Sequence, residues 1–403
     1  MPEWPASLVT IPLHVIATTR CSAILAFRHP FPPAFEPIDS KEPTVKHWTL
    51  VAAAFLVVAC SGDGNKSAST AGNQANQSTG GTALNGAGAT FPYPIYSKWF
   101  SDYAAATGVK INYQSIGSGG GIRQLSEQTV DFGASDAPMS DAEMSKAKGG
   151  EILHFPTVLG ADVVTYNLPG VTAPLNLTGQ VLADIFAGRV RKWNAPALIA
   201  LNPGVKLPGT DILVVHRSDG SGTTYIFTSY LTAVSAVWKS GPGAGKEVSW
   251  PTGLGAKGNE GVAGQVRQTP GSIGYVELAY ATQNKLRYAA MKNAAGQFVE
   301  PSIESVTAAA GAIADTISDN TDYRLSIVNA AGAGAYPISS MTWLLVYQNQ
   351  PDATNGKYLV DFLRWAYETG YKDAPSLDYA PLPAKMRAKL IARLASIRIA
   401  GAK

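Results

Sequence analysis

Cysteine is almost missing from this 403-residue chain: there are two, Cys21 and Cys60, both ahead of the part that reads as folded. A disulfide framework or a thiolate metal site in the body is thereby excluded. Histidine is nearly as scarce. Of five, His14, His29 and His47 lie in the leader, so only His154 and His216 could serve as a base or a metal ligand. Charged residues make up 15%, well under the usual quarter, and the net charge is +3. Lys and Arg are scattered, with no basic patch interleaved with aromatics, which excludes nucleic acid as a partner. G-x-x-x-x-G-K-[ST], G-x-S-x-G, H-E-x-x-H and an acidic calcium loop are all absent. No repeat appears at solenoid periods.

What is present is a core-forming 46% of apolar residues with 40 Gly and 26 Pro, a mixture that suits a loop-rich protein rather than a helical bundle. The length allows two domains or one large one. Residues 48–59 (WTLVAAAFLVVA) are too short an apolar run to span a bilayer and follow Lys46 and His47. They end at Val57-Val58-Ala59-Cys60, the pattern of a secretory signal closing on a lipobox, with Cys60 as the lipidated residue. A buried core helix ending in Cys is the plainer alternative. The next stretch, 61–82, is polar, small and nearly uncharged, and reads as a flexible tether reaching roughly 25 Å. Residues 1–44 precede the signal 45–59 awkwardly. Translation is therefore expected to begin near Val45, and mass spectrometry of the native protein tests it: peptides from 1–44 in mature material would refute it.

Beyond the tether, strands are expected at 109–114, 131–135, 152–158, 163–167, 212–216 and 342–347. Helices are expected at 94–106, 122–128, 178–186, 223–234, 357–367 and 384–397. The alternation argues for an α/β architecture with largely parallel sheets.

Three glycine-rich segments stand in this frame: Gly86-Ala-Gly-Ala-Thr90-Phe91, Gly117-Ser118-Gly119-Gly120-Gly121, and His216-Arg217-Ser218-Asp219-Gly220-Ser221-Gly222-Thr223-Thr224. Each precedes a helical pattern. Glycine lets backbone approach a ligand, and the first helical turn offers unsatisfied N–H groups and a positive dipole end. One such loop is most simply a turn or a cap. Three in strand-to-helix settings point to an oxyanion site at the carboxyl ends of the strands. Asp136 alone reads best as a turn or N-cap aspartate. Grouped with these loops, it would repel an anion unless that anion carries a proton to donate.

GAGATFPYPIYSKW, YQSIGSGGGIRQL, VDFGASDAPMSD, RSDGSGTTYIFTSYL, GSIGYVE and DYAPLP resemble the signature segments of the phosphate-binding proteins of bacterial high-affinity phosphate ABC transporters. The similarity runs from about Leu84 to the carboxyl end. It implies a type II periplasmic binding-protein fold: two α/β lobes and a ligand cleft, with a hinge crossed twice, near 157–162 and 334–338. One lobe would comprise 83–158 plus 338–403, the other 159–337. The resemblance further implies phosphate held by the backbone and hydroxyl of Thr90, the backbone of Phe91, Ser118, Arg217, Ser221, Gly222 and Thr223. Asp219 would orient Arg217, and Asp136 would accept a phosphate proton that sulfate lacks. Gly119 and Ser218 depart from residues common in the family, at positions given no ligand role. The implied protein is a non-enzymatic, monomeric receptor without cofactor. It would be extracytoplasmic and lipid-anchored to a membrane, and would deliver phosphate to the permease and ATPase subunits of an ABC importer. A secreted phosphatase would need a nucleophile beside a base, or a metal site; a sulfate or molybdate receptor would conflict with Asp136.

Overall fold

Aromatic spacing decides the first helix. Tyr96, Trp99, Phe100 and Tyr103 recur at three- and four-residue intervals, and all are buried on one side of the helix Tyr93–Thr107. Gly108 ends it in the left-handed conformation at φ 77°, its N–H returning to Ala104 O at 2.8 Å. The computed structural model describes residues 84–311 and 322–401. The expected leader, signal, lipidated Cys60 and tether lie outside the described residues.

A ten-stranded sheet organises the protein. Its main path runs Ile111–Ser115, Leu84–Gly88, Phe132–Ser135, Ser339–Tyr347, Ile152–Tyr166, Ser272–Glu277, Leu213–Arg217, Leu254–Ala256. The first three strands are mutually parallel, as are the last three; the two long strands between them are antiparallel to each other. Helices on the faces include Ser118–Ser126, Gly222–Val234, Gly258–Gln268 and Ala353–Glu368.

The two strands expected at 152–158 and 163–167 are one. Ile152–Tyr166 is buried at all 15 positions, which is why its apolar residues come in blocks rather than in strict alternation with polar ones. Gly160 is no turn: a Cβ there would stand 2.6 Å from the Phe91 ring, so the glycine lets that ring press onto the strand. The helix expected at 122–128 begins earlier, at Ser118, because its glycines continue the first turn. The helix expected at 384–397 stops at Arg393 and passes into a 3-10 turn, Leu394–Ser396. The strand Leu84–Gly88 and the helix Gly258–Gln268, both too glycine-rich to read as regular elements, complete the framework.

Register places the site. Ser135, ending one parallel strand, is level with Trp343 and so with Pro156 of the long strand. Glu277, ending a strand from the other set, is level with Asp162. The carboxyl ends of the two parallel sets therefore face each other across six positions of one strand, about 20 Å. The segment before the strand Ser339–Tyr347 lies alongside, with Asp162 N donating to Ile338 O at 2.8 Å. Among the described residues no helix is long and apolar enough to cross a membrane.

Candidate functional site

Five loops leave carboxyl ends of parallel strands and converge on this gap, where ligands bind in open α/β sheets. They carry Thr90, Ser118, Asp136, Ser221 and Asn259, all buried to within 1% of full coverage. Phe91, Arg217, Gly222 and Thr223 are buried with them. All eight residues expected to touch the ligand thus lie in one buried cluster, with Asp219 beside Arg217.

The second and third glycine loops meet directly. Gly119 N donates to Gly220 O at 2.8 Å, and Gly222 N donates to Ser118 Oγ at 3.0 Å. Ser118 Oγ also accepts from Asp136 N at 3.2 Å. A Cβ on Gly222 would sit 2.5 Å from Ser118 Oγ and 2.6 Å from Asp136 Oδ2, so only glycine permits this approach. Ser221 caps the helix that follows, its Oγ accepting from Thr224 N at 3.0 Å.

Arg217, the last residue of its strand, is clamped by Asp219: Nε reaches Oδ1 at 2.7 Å and Nη2 reaches Oδ2 at 2.5 Å. Asp219 is itself held by Gly258 N at 3.0 Å. Arg217 Nη1 donates to Thr223 Oγ1 at 3.1 Å. Of the five guanidinium N–H groups, three are taken and two remain. The bidentate partner offsets charge while fixing the plane of the fork.

Asn259, which carries no sequence motif, ties the loops together. Its Nδ2 donates to Thr90 Oγ1 at 2.8 Å and to Thr223 Oγ1 at 3.1 Å, and its backbone N also donates to Thr90 Oγ1 at 3.2 Å. Its Oδ1 accepts from Glu277 N at 2.9 Å. A hydroxyl has two lone pairs and one proton. Asn259 fills both lone pairs of Thr90; Asn259 and Arg217 fill those of Thr223. Both hydroxyls are thereby fixed as donors. The one signal available in the sequence was a fourth glycine-rich helix start, Gly255-Ala-Lys-Gly258-Asn259.

The first loop is pinned from behind. Tyr280 OH donates to Thr90 O and Tyr379 OH to Phe91 O, each at 2.6 Å. In a trans peptide the next N–H points the opposite way, so Phe91 N–H is turned from Tyr280. Asp136 stands as the acceptor in this ring of donors. Thr342 donates to its Oδ1 at 2.7 Å. Burial pushes the Asp136 carboxyl up to about 7, against the pull of Thr342, Arg217 and Ser118. The arrangement offers donors on several sides, a cation held in a fork, and one acceptor, which is chemistry for a protonated oxyanion. Neither His154, whose Nε2 accepts from Met139 N, nor His216, whose ring stacks on Trp250, belongs to it.

Comparison with known proteins agrees with this chemistry. A sequence profile described as a PBP superfamily domain matches residues 69–369. The chain is 51% identical over 321 residues to a phosphate-binding protein PstS of Xylella fastidiosa, covering 79% of this chain and 87% of that one. With the protein of the same name from Haemophilus influenzae it shares 48% identity over 305 residues, covering 75% and 89%. Among solved structures it resembles a high-affinity periplasmic phosphate-binding protein, PfluDING, bound with phosphate (TM-score 0.62, 24% identity, 77% of this chain and 93% of that one). A phosphate-binding protein from Stenotrophomonas maltophilia aligns equally well, with TM-score 0.62 and 20% identity over 78% of this chain and 94% of that one.

Proposed function

This chain belongs to the PstS-type phosphate-binding proteins of the PBP superfamily and has their type II periplasmic binding fold; we propose that it captures inorganic phosphate outside the cytoplasm and hands it to an ABC importer. The role is binding, not catalysis. The observation that carries the reading is the set of Thr90 and Thr223 hydroxyls fixed as donors around the Asp136 acceptor.

Phosphate oxygens take hydrogens from the Thr90 and Thr223 hydroxyls, from Ser118 and Ser221, from backbone N–H groups of Phe91 and Thr223, from the Gly222 N–H that is shared with Ser118 Oγ, and from the two remaining Arg217 N–H groups. A phosphate hydroxyl donates a hydrogen bond to ionised Asp136. Sulfate has no such proton, so it would leave a buried acceptor unpaired against a like charge, a penalty of several kcal/mol, on the order of 1–3 for the lost bond alone.

In this reading the protein has two lobes, 83–158 plus 338–403 and 159–337. Thr90, Phe91, Ser118 and Asp136 come from one, and Arg217, Ser221, Gly222, Thr223 and Asn259 from the other. The pairing of the two connecting segments through Asp162 N and Ile338 O supports a hinge there. The signal 45–59, lipidation at Cys60 and the tether 61–82 would anchor the receptor beside its permease and ATPase partners as a monomer. Calorimetry with phosphate and sulfate tests the reading: tight phosphate binding with sulfate excluded is expected, and comparable affinities would overturn it.

A further inference from the structure

Two buried acids beneath the site take no part in the scheme above. Asp162 and Glu277 are fully buried and stand directly opposite each other on antiparallel neighbouring strands. Directly opposed residues project from the same face of a sheet, with Cβ atoms about 5 Å apart. Gly160 lies two positions from Asp162 on that face. A Cβ there would meet Glu277 Oε1 at 3.3 Å and the Phe91 ring at 2.6 Å. The pair thus lies under the phosphate loop. Glu277 is also wired to both lobes' hydroxyls, because its N–H donates to Asn259 Oδ1 and Asn259 holds Thr90 and Thr223.

Among the described residues neither acid forms an ion pair, and Asp162 Oδ1 and Oδ2 and Glu277 Oε1 have no hydrogen-bond partner; only Glu277 Oε2 accepts, from Ala279 N at 2.7 Å. The groups packed around them compensate only in part. Arg217 is the cation whose field reaches Asp162, and its fork is already bound to Asp219. Asp136 adds like charge to Asp162, and Asp378 to Glu277. Tyr275 faces Asp162, and Tyr336 donates its hydroxyl hydrogen to Asp162 O at 3.3 Å. Tyr379 and Tyr280 flank Glu277; the Tyr379 hydroxyl lies close enough to ease the Glu277 charge in part, though the hydrogens of both tyrosines are directed at Phe91 O and Thr90 O; Glu260 lies beyond Tyr280. Two carboxylates so placed cannot both be ionised cheaply, and burial raises the proton affinity of each.

We propose that Asp162 and Glu277 form a proton-holding pair coupled to phosphate capture: arrival of the anion draws a proton onto the pair, and loss of that proton favours release. The inference rests on the phosphate reading. Asp162 shares a field with Arg217 and Asp136, the charged groups that hold the ligand, so added negative charge strengthens the pair's hold on a proton. By linkage, a proton on the pair strengthens phosphate binding to the same extent. The two acids are positioning residues; neither touches the ligand.

The test compares wild type with Asp162→Asn and Glu277→Gln. Proton exchange per phosphate bound is measured by calorimetry in two buffers of different ionisation enthalpy, with Kd followed from about pH 6 to pH 9. Phosphate's own ionisation is common to all three proteins, so differences belong to the pair. Wild type is expected to take up more protons than either variant, and to lose roughly tenfold more affinity than they do per pH unit above the pair's titration. In ligand-free protein the carboxylic-acid infrared band should persist to higher pH in wild type than in either variant, whose remaining acid no longer faces a like charge. Identical proton counts, parallel pH profiles and an unchanged band would overturn the pair's role. Should one variant fail to fold, the other decides. Absence of phosphate binding by wild type at any pH would instead sink the phosphate reading, and the infrared band would still judge the pair.

Discussion

Asn259 donates twice to one oxygen: its Nδ2 and its backbone N both point at Thr90 Oγ1, at 2.8 and 3.2 Å. The side-chain bond, with its counterpart to Thr223, converts two threonines into dedicated donors.

Asn259→Ala should therefore weaken phosphate binding without unfolding the protein. Losing the orientation of two hydroxyls corresponds to about 2 kcal/mol, or roughly 30-fold in Kd. Calorimetry alongside thermal unfolding checks it. Unchanged affinity would mean that the hydroxyls are oriented by other groups.

Selectivity should depend on pH because Asp136 must be ionised to accept a proton. Its carboxyl is raised to about 7 by burial, so discrimination against sulfate should be full at about pH 8 and fade as pH falls through 7. The stability sign is opposite. A raised carboxyl contributes fully only below its unfolded value, near 3.9, and that contribution is lost as pH rises towards the folded value. Ligand-free Asp136→Asn should accordingly melt higher than wild type at about pH 8, with the gap closing near pH 4. Phosphate and sulfate titrations across pH, with paired melting curves, test both halves.

Gly222→Ala should abolish tight binding. The new Cβ would stand 2.5 Å from Ser118 Oγ and 2.6 Å from Asp136 Oδ2. Backbone or side chains must move, and displacement of the acceptor and the donors together should raise Kd at least ~100-fold, given what one unmade charged hydrogen bond costs. Circular dichroism should show the fold retained. Near-normal affinity would show the two loops free to separate without loss of the site.

The ion pair of Lys246 and Glu143, 2.7 Å apart, joins segments assigned to different lobes. Glu143 also caps its own short helix with Ser140. Glu143→Gln should raise the phosphate dissociation rate a few-fold, consistent with a partly exposed pair contributing under about 1 kcal/mol. Stopped-flow release at two salt concentrations would show it: the difference from wild type should shrink as salt screens the pair.

Much of this was legible in the sequence because glycine-rich strand-to-helix loops advertise themselves. Ser118, Arg217 and Ser221–Thr223 sit where such loops predict, and the Tyr96–Trp99–Tyr103 stripe announces its helix. Asp136 was ambiguous in isolation, since nothing local reveals that a chain segment 206 residues away supplies Thr342 as its donor. Asn259 escaped because its work is long-range, 169 residues from Thr90. The long strand reads as two in the sequence for a related reason. Gly160-Ala161 breaks an apolar run on paper, whereas in three dimensions the gap is filled by the Phe91 ring.

The hydroxyls of Tyr280 and Tyr379, which fasten the carbonyls of Thr90 and Phe91, have a consequence for the entropy of capture. A loop already immobilised during folding loses little freedom when an anion arrives, so less of the interaction energy is consumed in ordering it. Part of the affinity should thus reside in two tyrosines placed behind the loop. Their replacement by phenylalanine should register in calorimetry as a less favourable binding entropy, with enthalpy nearly intact.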